Sequence, residues 1–279
     1  MPIVFCHYAE CLVVNRRAVG IARLVLFRLF PQRETGYMRS EVSSDLATPV
    51  FRDLSAAEIP KHRLLEAAVH LVFRDRDEAG RRLAGKLSDY RGADAVIGAI
   101  PRGGIPVAAA VAHVLQLDWG VIVVRKLPIP WSPEAGFGAV AEDGAVVLNE
   151  AMVHGLMMSR DQIDEVVREV RAELARRAEF MLQARPLPDV TGRFAIVIDD
   201  GLASGYTMLA AIKSLKEKGV SRVVAAAPVA SRSAAALVGP AADECIFEIV
   251  SPSVPFAVAD FYINWHDLTD EEIAPVLEW

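Results

Sequence analysis

The 279-residue sequence predicts an α/β fold: a doubly wound, mainly parallel sheet with helices on both faces. Three observations carry this. Continuous apolar runs at residues 95–100, 121–124, 194–198, 220–229 and 245–250 read as strands buried on both faces. Segments of helical period separate them: Ile105, Val107, Ala108, Val111, Ala112 and Leu115 after the first run, and Met208, Leu209, Ile212 and Leu215 after the third. The polar residues best suited to chemistry fall just after strands, at the carboxyl edge where such sheets bind ligands.

With 53% hydrophobic and 24% charged residues, the chain can fill a core, and wholesale disorder is excluded. A net charge of −6 leaves no general basic field, so nucleic acid is not an expected partner and any anion site must be local. Cys6, Cys11 and Cys245 do not make a disulfide framework. Cys6 and Cys11 with His7 lack the second ligand pair of a metal clip, and the six histidines show no metal spacing.

Residues 1–37 carry five arginines against Glu10 and Glu34, a net of +3, while the remainder nets −9. They read as an extension outside the fold, with the domain over residues 38–279: a core of about 64–250 and a hood and tail at 251–279. The alternative is a short amphipathic helix on Val19, Ala22, Arg23, Leu26 and Phe30, able to touch a membrane surface. No apolar run reaches the ~18 residues that span a bilayer. Arg23 and Arg28 lie inside the apolar stretch rather than ahead of it, a poor fit to a signal peptide, so a cytoplasmic, membrane-free protein is expected.

Within the domain, Asp75 and Asp77 mark the start of a helix running to about Leu87, since a helix start favours negative charge. The first strand ends in Pro101-Arg102-Gly103-Gly104, where the glycines let a ligand approach the main chain and Arg102 adds a cation. The next strand, 121–124, runs into Arg125-Lys126. Three prolines in residues 127–135 keep that segment out of a sheet interior. Residues 137–141 and 145–148 alternate around Asp143-Gly144, a hairpin signal. Residues 160–181 form a long charged helix, with Asp164–Arg168 and Glu173–Arg177 at favourable spacing, ended by Pro186 and Pro188. Phe256, Phe261, Tyr262 and Trp265 in the tail either stack a base or bury against the sheet, and Thr269-Asp270-Glu271-Glu272 opens a last helix.

The centre of the pattern is the strand 194–198 with the acids Asp199 and Asp200 after it. Gly201-Leu202-Ala203-Ser204-Gly205-Tyr206-Thr207 then leads into a helix. A helix N-terminus offers unpaired N–H groups and the positive end of a dipole, so residues 203–207 can hold a phosphate. The carboxylates ahead of it suit sugar hydroxyls or a cation. An ordinary βα turn with two acids at a strand end is the plainer reading. Ser204 is not in a nucleophile elbow, and no nucleoside triphosphate loop is present.

This stretch resembles the 5-phosphoribosyl-1-pyrophosphate (PRPP) motif of type I phosphoribosyltransferases. The likeness extends over residues 64–273. It is nearest a poorly characterised branch, through Phe73-Arg74-Asp75-Arg76, Gly138-Ala139-Val140-Ala141 and Trp265-His266-Asp267. The resemblance implies that Asp199 and Asp200 bind the ribose 2′- and 3′-hydroxyls. It places the 5′-phosphate on Ala203, Ser204, Gly205, Tyr206 and Thr207, and the pyrophosphate on Arg102, Gly103 and Gly104. The 127–148 segment becomes a flexible β-hairpin lid that brings Arg125 and Lys126 to the diphosphate and excludes water. Mg²⁺ is the implied cofactor, carried by PRPP near the two acids rather than by direct protein ligands.

The function so implied is transfer of the phosphoribosyl group to a nucleobase or similar nitrogen acceptor with release of pyrophosphate. The partners are PRPP and a small-molecule acceptor, and homo-oligomerisation is left open. Leu202 and Ala203 occupy the place where relatives can carry a base for the acceptor, so a non-catalytic PRPP- or nucleotide-binding regulatory protein stands as the alternative. A hydrolase of phosphorylated sugars ranks third. The Asp200→Asn change is expected to weaken PRPP binding and leave the fold intact.

Overall fold

The computed structural model describes residues 2–7, 10–15, 25–28 and 73–278. The chain divides into two units, residues 1–70 and 71–279. In the first, β1 (Pro2–His7), β2 (Glu10–Asn15) and β3 (Val25–Arg28) form an antiparallel sheet in that order. The amphipathic helix considered over Val19 to Phe30 is therefore not formed at its end. Val25–Arg28 pairs with β2, Leu26 opposite Leu12 and Phe27 opposite Cys11, because a neighbouring apolar strand supplies the backbone partners that so short a helical segment lacks. The expected boundary near Met38 lies outside the described residues, as does the apolar segment 64–71.

The second unit begins with α1 (Arg76–Lys86), capped by Asp75, whose carboxylate accepts the Glu78 N–H at 2.9 Å. Then come β4 (Ala95–Ala99), α2 (Gly104–Leu115), β5 (Asp118–Val121), β6 (Val124–Ile129), β7 (Ser132–Ala141) and β8 (Val146–Leu148). The short α3 (Glu150–Gly155) precedes α4 (Arg160–Ala184), which opens on a capping box between Ser159 and Gln162. The chain continues through β9 (Phe194–Ile198), α5 (Tyr206–Glu217), β10 (Arg222–Ser231), α6 (Arg232–Val238), β11 (Glu244–Ser251) and α7 (Asp270–Leu277).

The main sheet is parallel, in the order β11-β10-β9-β4-β5. Its residues alternate between two apolar layers. Ile97, Ala99, Ile196, Ile198, Val224 and Ala226 join Leu83, Ile105, Val111 and Leu115 of α1 and α2. Val96, Ala195, Val197, Val223 and Ala225 join Met208, Ala211, Ile212 and Leu215 of α5. Covering both faces is what makes these strands continuous apolar runs rather than alternating ones. This is the predicted fold class, with a second, antiparallel sheet β6-β7-β8 that fits a hood beside the core.

From β4 the chain winds outward through β5, and from β9 it winds the other way through β10 and β11. The direction reverses between β4 and β9, so a crevice opens at their carboxyl ends.

One expectation needs correction. The strand placed at residues 121–124 is two elements: β5 ends at Val121, and β6, beginning at Val124, belongs to the small sheet. The uninterrupted apolar run hides this boundary, since Ile122 and Val123 carry no turn chemistry. Residues 127–135 enter strands and, as expected from their prolines, keep out of a sheet interior. β6 is an edge strand whose register shifts at Pro128, and Pro133 lies at the start of β7, positions where a missing N–H costs no ladder bond.

Candidate active site

Two turns meet at the switch point. The β4–α2 turn, Pro101 to Gly104, contains a cis bond between Pro101 and Arg102. It presses against the acidic pair: a Cβ on Gly103 would lie 1.8 Å from Asp200 Oδ2, and one on Gly104 would lie 2.7 Å from the Ile198 carbonyl oxygen. Only a residue without a side chain permits the approach at Gly103. The structure thus brings Gly103 and Gly104 into contact with Asp199 and Asp200.

After the acids, Leu202 turns inward. It is 2% exposed, donates its N–H to the Val229 carbonyl at 2.9 Å and accepts from Ser231 N–H at 2.8 Å. Ala203 and Ser204 are exposed, and Ser231 Oγ donates to the Ala203 carbonyl at 2.8 Å, which fixes the loop from below. Gly205 has φ of +85°, the left-handed conformation that starts α5. No side chain caps this helix and no acid lies in its first turn, whereas α7 has a Thr269 cap and three acids. Residues 204–207 therefore leave helix-start N–H groups and a positive dipole end at the crevice.

The acidic pair is not symmetric. Asp200 is 9% exposed and its Oδ2 accepts from Arg76 Nε at 2.8 Å, an ion pair buried on both sides. The Asp200 carbonyl accepts the Tyr262 hydroxyl at 2.7 Å, and its N–H donates to Asp199 Oδ1 at 2.9 Å. Burial, then the charge of Asp200, pushes the Asp199 carboxyl well above the usual range. Burial also raises Asp200, but the Arg76 guanidinium works against that rise. The pair thus holds one charge more readily than two, with Asp200 the better-compensated site.

Arg76 is the functional residue that reading by motif left without a role. It is 7% exposed, with its guanidinium 4.0 Å above the Trp265 ring and its Nη1 donating to the His266 carbonyl at 3.1 Å. Its signal was in the helix period: Arg76 shares the buried face of α1 with Ala79, Gly80 and Leu83, and an arginine there requires an anionic partner. The tail aromatics follow the burial reading at Tyr262, which is 5% exposed and tilts against Phe73 at 5.4 Å and Trp265 at 5.1 Å. Asp200→Asn would break a buried ion pair, so the expectation that it spares the fold is revised.

The predicted cations are placed differently. Arg102 Nε donates to Asp270 Oδ1 at 2.8 Å and its Nη1 to the Leu268 carbonyl at 3.1 Å, which ties the β4–α2 turn to the start of α7. Arg125 and Lys126 lie in β6 rather than in a turn, and neighbouring strand residues face opposite sides. Arg125 pairs with Glu173 of α4 at 3.0 Å. Lys126 is in register with Ala139, which packs in the α5 layer. The hairpin turn Asp143-Gly144 forms as expected, and Asp143 accepts from Ser214 Oγ at 2.5 Å and from Lys218 Nζ, so this end of the small sheet is pinned to α5.

A phosphoribosyl transferase domain model matches residues 141–264. A Mycobacterium tuberculosis (strain CDC 1551) protein, provisionally named a phosphoribosyl transferase, is 40% identical over 207 residues, and its counterpart in strain H37Rv matches equally. The match covers 74% of this chain and 46% of those proteins, so the chain spans about half the length of these curated relatives. The crystal structure of TT1426 from Thermus thermophilus is similar with a TM-score of 0.63 and 35% identity, covering 74% of this chain and 98% of that one. Motif, fold and relatives agree, and the chain belongs to the phosphoribosyltransferase family.

Proposed function

We propose that this chain transfers the 5-phosphoribosyl group of PRPP to a nitrogen acceptor, with Mg²⁺ and release of pyrophosphate. The observation that carries the reading is the uncapped start of α5 directly behind an acidic pair, Asp199 half-buried and Asp200 buried, at the point where the sheet reverses its winding. The N–H groups of residues 204–207 take the 5′-phosphate, Asp199 and Asp200 take the ribose diol, and the backbone at Gly103 and Gly104 takes the diphosphate. Arg102 reaches that diphosphate by exchanging Asp270 for it, and Lys126 adds charge from β6.

As the bond from ribose C1 to the diphosphate lengthens, positive charge grows on the ring and negative charge on the leaving group. In this reading the acids face the ring and the cations the leaving group, so the protein's contribution is electrostatic. Among the described residues no cluster of three His, Cys, Asp or Glu could cage a metal ion. In this reading Mg²⁺ arrives on the substrate phosphates and sits near the two acids without direct protein ligands. When bound, Mg²⁺ would neutralise diphosphate charge. The moving part of the lid would be the β6–β7 end, where Trp131 is 60% exposed, since the other end is pinned by Asp143.

The regulatory reading is favoured by one observation: Leu202 is core, so no proton acceptor for the attacking nitrogen follows the acids. One experiment separates the two. Protein, Mg²⁺ and PRPP are incubated with a panel of nucleobases, and pyrophosphate release is followed. Base-dependent release supports the transferase. PRPP binding without release would leave the regulator.

A further inference from the structure

We propose that Arg76 is a positioning residue of the PRPP site: through Asp200 it fixes which acid presents a carboxylate to the ribose. This rests on the PRPP reading above.

The geometry is that of a one-to-one clamp. Arg76 comes from the first turn of α1, far from the acidic pair in sequence, and gives its Nε to Asp200 Oδ2 at 2.8 Å. Its other contacts hold the guanidinium rather than spread its charge: Nη1 on the His266 carbonyl, and the Trp265 face at 4.0 Å. Gly103 closes on the same Oδ2, so the carboxylate is held by a cation and crowded by backbone. The remaining groups around Asp200 are the Asp199 carboxyl and the Tyr262 hydroxyl, which donates to the Asp200 carbonyl at 2.7 Å.

Two neighbouring carboxyls, one half-buried and one buried, do not both ionise cheaply, and a single guanidinium decides between them. Arg76 bonds Asp200, and the Asp199 carboxyl is displaced upward by burial and by its charged neighbour. A diol is well matched by such a pair, because one acid accepts hydrogen bonds while the other donates one. Arg76 touches neither substrate nor reacting atoms in this arrangement, and acts through Asp200.

The test compares wild type with Arg76→Met, which keeps the stem over Trp265 and removes the charge, and with Arg76→Lys. Carboxyl ¹³C resonances of Asp199 and Asp200 are titrated in each, PRPP affinity is measured by calorimetry between pH 5.5 and 8, and melting is followed in parallel. In Arg76→Met the Asp200 titration should move up by about one pH unit or more, with at least a tenfold loss of PRPP affinity at pH 6, and Arg76→Lys should restore part of both. If Arg76→Met does not fold, the Arg76→Lys midpoint against wild type decides. An Asp200 midpoint unchanged by either substitution would overturn the role of Arg76. An Asp200 shift on substitution together with no PRPP binding by the wild type would overturn the parent reading, and this role with it.

Discussion

Replacing Gly103 by alanine tests the contact on which the whole site depends. The added Cβ would fall 1.8 Å from Asp200 Oδ2 and 2.3 Å from its Cγ, against an ordinary carbon–oxygen contact of about 3.3 Å. The carboxylate must retreat by roughly 1.5 Å, and its bond to Arg76 is only 2.8 Å long. That bond cannot survive the move in place, and the guanidinium is left buried without its anion. Breaking a buried ion pair from one side costs about 3–5 kcal/mol, which for a unit of this size lowers the melting temperature by roughly 6–20 °C. Thermal and urea melts measure the loss. PRPP affinity should fall with it, because the oxygen that moves is one assigned to the ribose. In the Arg76→Met background the same change should cost much less, since both substitutions act on one interaction. A Gly103→Ala protein that melts within about 1 kcal/mol of wild type and binds PRPP equally well would refute the reasoning.

Three further outcomes follow from the site. Ser204→Asp puts a carboxylate at the start of α5, so stability should rise by about 0.3–1 kcal/mol while PRPP affinity drops, and calorimetry showing unchanged affinity would remove the 5′-phosphate from this loop. Asp199 has a folded-state pKa above its ordinary 3.8, so the folded protein holds that proton more tightly than the unfolded chain and loses stability as pH rises through the raised value. Asp199→Asn should therefore raise the melting temperature at pH 8, with a smaller gain at pH 5, while weakening PRPP binding. Burial pushes Asp143 up, but Lys218 and Ser214 outweigh it and hold the group below 3.8, so its stabilising bonds persist above that pH and are lost as pH falls further. Ser214→Ala should cost about 1.5–3 kcal/mol and speed hydrogen exchange at the Asp143-Gly144 turn.

What the sequence revealed of this site divides by distance along the chain. The strand, acids, loop and helix of residues 194–217 are contiguous, and each uses local chemistry: an apolar run, a small-residue turn, a 3.6-residue period. They could be read off directly. The pairing of Arg76 with Asp200 spans 124 positions and that of Arg102 with Asp270 spans 168. No local pattern specifies either, although an arginine on the apolar face of α1 announced that a partner existed. The β5–β6 boundary was hidden for the opposite reason. Every residue from Val121 to Val124 suits a strand, and only the competition between two sheets decides where one ends. The split of Arg125 from Lys126 follows from that boundary, since a turn could have aimed both side chains at one ligand and a strand cannot.

The ties from the tail set an order of assembly. Tyr262 bonds Asp200, the His266 carbonyl holds Arg76, and Leu268 with Asp270 holds Arg102, while Phe73 pairs with Tyr262 from the other end of the unit. On a ribosome, every strand of the main sheet emerges before these residues do. A nascent chain halted after β11 would own its sheet and the 203–207 loop, yet the clasp across the acids would be open. Competence to bind would then arrive as a late event of synthesis, and a protease trimming residues 262–278 would undo it without touching a strand.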